Sequence, residues 1–381
     1  MSSVRIPLPS RIASFSPNRL KLGIFGANCS SGRAATRVPE RWRAGWADNL
    51  RLAQMADAAG IDIMLPIGRW RGYGGETNFE GSTWETVTWA CGLLAQTKRI
   101  TVFCTVHAPL LHPVFAAKQF VTADHIGSGR FGLNIVCGWN QDEFDMFGAT
   151  QREHDIRYEY GEEWLAAITA MWERSEAFDF DGKFIKLKGV QAEPKPYGGT
   201  RPLVMNAGSS PAGRAFSTRA CDVLFRPLRS LESGAQDVRD TIAAARANGR
   251  DIGVFCNGYV VCRPTQAEAE DYHRYYAEEN GDWAAVDHLI ALNQVNSQSY
   301  SPEFFKAFRI RFAAGHGGFP MVGDPDHVAG ELAEVSRAGF AGICFSFVNY
   351  LDEFPYFRDE VLPRLERMGL REKGAARSLS G

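Results

Sequence analysis

The sequence predicts an α/β protein built as a (β/α)8 barrel. Three observations carry this. Eight short, nearly continuous apolar runs recur along the chain. Amphipathic segments at helical spacing separate them. The 381 residues, 45% of them apolar, supply enough material for a large core. Unbroken apolar runs mark parallel strands covered on both faces, and eight of them joined by crossover helices fit a closed barrel better than an open sheet.

The strand candidates, in order, are Leu20–Phe25, Ile61–Ile67, Ile100–Val106, Phe131–Cys137, Pro202–Ala207, Asp222–Arg226, Gly253–Val261 and Gly342–Val348. Between the first two, Ala47–Ala59 has helical spacing and stops at Gly60, a residue suited to ending a helix. After the fourth, Asp155–Trp172 places Tyr158, Trp164, Leu165 and Ile168 on one side. Before the last, Asp324 caps a helix that opens with Pro325; Val328, Leu332 and Val335 share its buried face, and Gly339 ends it. Two stretches interrupt the alternation. Residues 175–202 contain FDFDGKFIKLKGV, which reads as a short hairpin, and then a Pro/Gly-rich return. Residues 282–322 end in AAGHGGFP, which reads as a flexible run. Both are expected as insertions on the C-terminal face of the barrel, covering a site there. The expected organisation is one domain over residues 20–370, a flexible arm over 1–19 and a flexible tail over 371–381. No internal repeat is present, which excludes a solenoid.

A net charge of −2 and a pI near 6.5 give no basis for nucleic-acid or anionic-membrane partners. No apolar stretch reaches the roughly 18–20 residues of a membrane span. The N-terminus lacks the apolar core of a secretory signal, so a cytoplasmic location is expected. The eight cysteines contain no CxxC pair and no Cys/His zinc pattern, so no metal site is expected. Cys104, Cys137, Cys256 and Cys344 sit in strand candidates and read as core thiols.

The richest stretch is GRFGLNIVCGWNQDE, from Gly129 to Glu143. A Gly-Arg turn opens a strand that carries Asn134 in an apolar run and then meets Gly138, Trp139, Asn140 and Glu143. A buried amide needs partners, either in the core or on a ligand. Ala207-Gly208-Ser209-Ser210 follows the fifth strand and opens a helix, where free N–H groups and two hydroxyls suit a phosphate; plain helix capping is the alternative. Arg157 and Tyr158 fall in the first turn of a helix, where the dipole disfavours a cation. A nearby anion would account for that arginine, and so would a surface ion pair. Thr105, His107, His112, Asn134, Arg226, Arg229 and Asn349 fall near strand ends. Of these, His107, Arg226 and Asn349 join Trp139 as candidate substrate contacts. No Schiff-base lysine on a strand, metal-ligand set or glycosidase-like carboxylate pair is apparent, which favours chemistry carried by an organic cofactor.

Taken together, GRFGLNIVCGWNQDEFDMFG, HDIRYEYGEEW, FDFDGKFIKLKG, PLVMNAGSSPAG and FSFVNYLDEFPYFRDEVLPRL resemble the bacterial-luciferase-like flavin monooxygenases over roughly Leu20 to Leu370. The likeness is nearest the pyrimidine monooxygenase branch, with alkanesulfonate and dimethylsulfone monooxygenases as neighbours. The resemblance implies a TIM barrel binding reduced FMN at its C-terminal mouth. It also implies a separate NAD(P)H flavin reductase as partner, a small-molecule substrate, O2, and reaction through a flavin peroxide with C–N or C–S cleavage. It assigns Gly68, Arg69, Asn134, Glu143, Arg157, Tyr158, Gly208 and Ser209 to the flavin. It assigns Thr105 and Asn134 to its oxygen-reacting edge and Trp139 to the substrate wall. A homodimer or homotetramer is the expected assembly. A deazaflavin-dependent hydride-transfer enzyme and a non-catalytic flavin-binding protein are the competing readings.

Overall fold

The computed structural model describes residues 15–292 and 302–372. All eight strand candidates form. They are β1 (Lys21–Phe25), β2 (Ile63–Leu65), β3 (Thr101–His107), β4 (Phe131–Val136), β7 (Leu203–Asn206), β8 (Val223–Pro227), β9 (Gly253–Cys262) and β11 (Gly342–Ser346). Residues 178–190 add the hairpin strands β5 (Phe178–Asp181) and β6 (Lys186–Val190), and β10 (Phe319–Gly323) was not anticipated. The helices used below are α1 (Trp46–Ala58), α2 (Thr86–Leu94), α3 (Pro113–Ile126), α4 (Gln141–Met146), α5 (His154–Glu173), α6 (Pro211–Ala220), α7 (Leu231–Ala247), α8 (Gln266–His273), α9 (Trp283–Leu292), α10 (Pro302–Gly315), α11 (Pro325–Arg337) and α12 (Tyr350–Tyr356). The alternation of parallel strands and helices is that of a TIM (β/α)8 barrel.

The described residues divide into two compact units, one of residues 15–16, 85–226 and 240–253, the other of residues 17–84, 227–239, 254–292 and 302–372. In the first, β3, β4, β7 and β8 pair in parallel, with Thr105 opposite Asn134 and Ile135 opposite Asn206. The Gly-Arg turn before β4 is fixed by Arg130, whose guanidinium donates to the carbonyls of Leu94 (2.9 Å) and Ile100 (3.0 Å). The long side of α5 is buried through Trp164 and Trp172, whose indole N–H groups donate to the Leu111 and Ala117 carbonyls. The β5–β6 hairpin is pinned by the Glu163 carboxylate, which accepts from the backbone N–H groups of Lys183, Phe184 and Ile185. It joins the end of α5 to the start of β7. Its return segment rests on the last turn of α3, where Asp124 accepts from Tyr197 N–H at 2.8 Å. This corrects the expectation for residues 175–202: the segment is a helix-to-strand connection on the side where strands enter.

In the second unit the parallel order is β10-β9-β11-β1-β2. Along the ten-residue β9, Phe255–Tyr259 pair with β11 and Gly258–Cys262 pair with β10. The expected flexible run is in fact ordered. The helix α10 continues to Gly315, His316 (φ 51°) and Gly317 (φ 74°) make a left-handed turn, and β10 begins at Phe319. Asp282 tethers this insertion to the loop after β2, accepting from Thr77 N–H (2.8 Å) and Oγ1 (2.7 Å). A Cβ on Gly75 (φ 74°) would lie 2.2 Å from the Asp282 carboxylate, so only glycine fits there.

The expectations of a loose arm and tail lie, for residues 1–14 and 373–381, outside the described residues. Where they can be checked, both are tied down. Asn18 Nδ2 donates to Asp62 Oδ1 at 2.8 Å, Arg371 Nη1 reaches Asp62 Oδ2 at 2.8 Å, and Glu372 N–H donates to Asn18 Oδ1. A buried carboxylate without such partners would be costly, which explains why both segments order around it.

Candidate active site

Alternation along β3 and β4 puts Thr105 and Asn134 on the same face of adjacent strands, and the register sets them opposite each other. Asn134 Nδ2 donates to Thr105 Oγ1 at 3.1 Å, with both residues buried. The Asn134 Oδ1 atom is left buried without a hydrogen-bond partner among the described residues. Such an acceptor costs about 1–3 kcal/mol unless a ligand donates to it. The Thr105 carbonyl is fixed from outside by Thr86 Oγ1, at 2.8 Å.

Two residues further along β3, His107 shares the face of Thr105. Its Nε2 lies 3.6 Å from Glu143 Oε2, and both side chains are almost fully buried. Glu143 is placed by α4, which Asn140 caps by accepting from Asp142 N–H. The turn into α4 needs Gly138: its φ is 92°, and a Cβ would meet the Phe144 ring at 2.5 Å. Trp139 sits in this turn, 38% exposed.

The first turn of α5 supplies Arg157 and Tyr158. Arg157 donates through Nη1 to the Gly138 carbonyl, while its buried Nε has no hydrogen-bond partner among the described residues. The Tyr158 hydroxyl bonds Ser210; burial raises its pKa and this bond only partly offsets the rise, so the phenol stays protonated and able to donate at neutral pH. Behind it, the turn from β7 into α6 packs closely. A Cβ on Gly208 would lie 2.7 Å from the Gly213 Cα and 3.1 Å from the Tyr158 ring. Ser210 caps α6 and Ser209 beside it is exposed. Arg226, at the end of β8, donates to the Ser209 carbonyl at 3.3 Å.

One site residue escaped the sequence reading. Asn206, 2% exposed at the end of β7, donates to the Ile135 carbonyl (2.7 Å) and accepts from Gly208 N–H (2.8 Å) and Ser217 Oγ (2.9 Å). It ties β4 to the Gly208 turn. The signal that singled out Asn134, an amide in an apolar strand, was equally present in LVMN.

Thr105, His107, Asn134, Trp139, Glu143, Arg157, Tyr158, Gly208, Ser209 and Arg226 therefore lie in one unit, at the exits of β3, β4, β7 and β8. Gly68, Arg69 and Asn349 lie in the other. Asn349 caps α12, accepting from Leu351 and Asp352 N–H and donating to the Glu40 carbonyl. Arg69 is buried with its guanidinium 4.7 Å over the Tyr73 ring and Nε 3.4 Å from Glu80. Glu80 is fully buried and also pairs with Arg33 and with His316 Nδ1, at 3.5 Å. Burial alone would raise the Glu80 pKa, but Arg33, His316 and Arg69 hold it down at about 2. Burial and Arg33 press His316 down to about 4. This cluster left no recognisable trace in the sequence, because its members come from three loops far apart in the chain. All eight cysteines are free, and burial pushes the Cys137 thiol up to about 12, which suits a core thiol and not a nucleophile.

Strand exits lined by buried polar groups, beside a serine-capped helix start, are the layout of a barrel enzyme that works on a bound small molecule. The chain belongs to the luciferase-like monooxygenase family, whose pattern matches residues 20–342. It is 29% identical over 365 residues to an FMNH2-dependent dimethylsulfone monooxygenase of Pseudomonas fluorescens (strain Pf0-1), covering 94% of this chain and 98% of that one. It is 27% identical to the pyrimidine monooxygenase RutA of Enterobacter sp. (strain 638), covering 91% and 96%. Among solved structures, riboflavin lyase (RcaE) with modified FMN and riboflavin superposes with a TM-score of 0.84 at 21% identity, over 94% of this chain and 93% of that one. Among the described residues no helix is long and apolar enough to cross a membrane.

Proposed function

We propose that the protein is a two-component monooxygenase that uses reduced FMN and O2 to oxygenate a small organic substrate, cleaving a C–N or C–S bond. The observation that carries this is the orphaned Oδ1 of Asn134, buried beside Thr105 at the strand exits. It is an acceptor waiting for a ligand N–H, which the ring edge of a reduced flavin offers. Family membership and FMNH2-dependent relatives support the same cofactor.

The residues fit the cofactor at its other end as well. Arg157, the Tyr158 hydroxyl and Ser209 bring donors suited to a phosphate beside the tight Gly208 turn, where a Cβ would press on Gly213 and the Tyr158 ring. When bound, reduced FMN supplies the two electrons that let one oxygen atom enter the substrate while the other becomes water. The chain's own part is positional and electrostatic. Asn134 and Thr105 orient the reacting edge and offer neutral donors, which stabilise developing charge without the acidity that would release hydrogen peroxide. Trp139 and Arg226 line the substrate side of this reading. A separate NAD(P)H flavin reductase is the proposed partner, and a homodimer or homotetramer the proposed assembly, measurable by light scattering.

The test is direct. Anaerobic titration with reduced FMN should show saturable binding. Mixing that complex with O2 and a panel of sulfones, sulfonates and cyclic amides should yield an oxygenated product by mass spectrometry. Absence of product across the panel, with tight reduced-deazaflavin binding instead, would replace this reading with hydride transfer.

A further inference from the structure

We propose that His107 donates the proton consumed in the oxygenation, with Glu143 keeping its imidazole charged and aimed. The inference rests on the monooxygenase reading above and adds an acid to it. Stoichiometry creates the need. With an anionic reduced flavin the reaction balances as FMNH−, O2, substrate and one proton giving FMN, oxygenated substrate and water. The O–O bond breaks and one oxygen bonds to the substrate. The other leaves as water, built from the flavin's hydride equivalent and one proton. Two electrons come from the flavin and two from the substrate as it is oxygenated, and these four reduce both atoms of O2. The reduced anion does not carry that last proton, so another group must hold it.

Asn134 and Thr105 cannot release one near neutral pH; a histidine can. His107 lies on the same face of β3 as Thr105, two residues further on, which is about 6.6 Å along a strand. That spacing sets it beside the Asn134–Thr105 pair on the same face of the sheet. Its side chain is 4% exposed and stands 3.6 Å from the Glu143 carboxylate, itself 1% exposed. An opposite charge at that range favours the imidazolium, and a buried carboxylate favours a cationic neighbour. Arg157, the other cation at this exit, is turned to the Gly138 carbonyl. Glu143 is a positioning residue here, acting through His107.

The test uses the full-length protein with a flavin reductase and compares His107→Asn, Glu143→Gln and the double variant at saturating FMN. His107→Asn should retain reduced-FMN affinity within about threefold while product turnover falls at least roughly tenfold, with oxygen uptake diverted to hydrogen peroxide. Glu143→Gln should move the same way, and the double variant should be no worse than His107→Asn. Normal product yield in His107→Asn, or losses that multiply in the double variant, overturns the proposal. A second readout needs no flavin. The imidazole C2–H NMR signal that disappears in His107→Asn should titrate above pH 7 in the native protein and at lower pH in Glu143→Gln. A His107 neutral at pH 7 overturns the proposal even if no substrate is found. A native enzyme that oxidises nothing in the panel instead overturns the monooxygenase reading.

Discussion

At the scale of single residues, Asn134 carries the sharpest consequence. Its amide has one end engaged by Thr105 and the other open. Asn134→Ala removes both ends and leaves only a small buried cavity, so folding should survive with a loss of about 1–2 kcal/mol. Reduced-flavin oxidation should continue, with product yield down at least roughly tenfold and hydrogen peroxide rising in its place, as a peroxidase-coupled assay reads. Arg157 differs in kind, because its proposed partner is a charge. Arg157→Ala should weaken FMN about tenfold or more and riboflavin hardly at all in fluorescence titrations. Equal losses would remove Arg157 from the phosphate.

At the scale of elements, the tight passage from β7 into α6 makes its own prediction. With Gly213 and the Tyr158 ring both in contact range of a Cβ, Gly208→Ala must push α6 away from α5. The expected result is loss of FMN binding with little change in helix content, read by titration and circular dichroism. Elements were also what the sequence expressed most clearly. Strands buried on both faces, such as β3 and β4, need unbroken apolar runs, and those runs are visible without any partner. By contrast, β10 was hidden because FPMVG follows three glycines within four residues and contains a proline, whose pattern alone reads as loop. It is a strand because it pairs in parallel with the far half of β9, a tertiary fact no local pattern contains. The site was legible where one residue type contradicts its surroundings, as Asn134 does in an apolar strand and Arg157 does at a helix start. Helix capping by Asn349 was less legible, because an amide at a strand end carries no local sign of the backbone groups it will meet.

At the scale of the whole molecule, the buried Glu80 cluster sets the response to acid. A Glu80 carboxyl held near 2 stabilises the fold above its ordinary value of 4.5 and gives that up as pH falls toward 2. A His316 held near 4 is protonated first in the unfolded chain, so the fold also weakens as pH drops from 6.5 toward 4. The melting temperature should therefore decline steadily below pH 6.5. His316→Asn, which tolerates the left-handed backbone at that position, should flatten the decline between pH 6.5 and 4 in calorimetry. A second consequence comes from Asp62. Asn18 and Arg371 meet on one carboxylate, and Glu372 is hydrogen-bonded to Asn18. In effect residues 18 to 372 are buckled into a ring. A circular permutant that joins residue 372 to residue 18 through a short glycine-serine bridge, and opens the exposed Gly198–Gly199 step instead, should fold and keep the same site. Arg371→Ala, which unbuckles the ring while leaving the carboxylate buried, should cost about 3–5 kcal/mol.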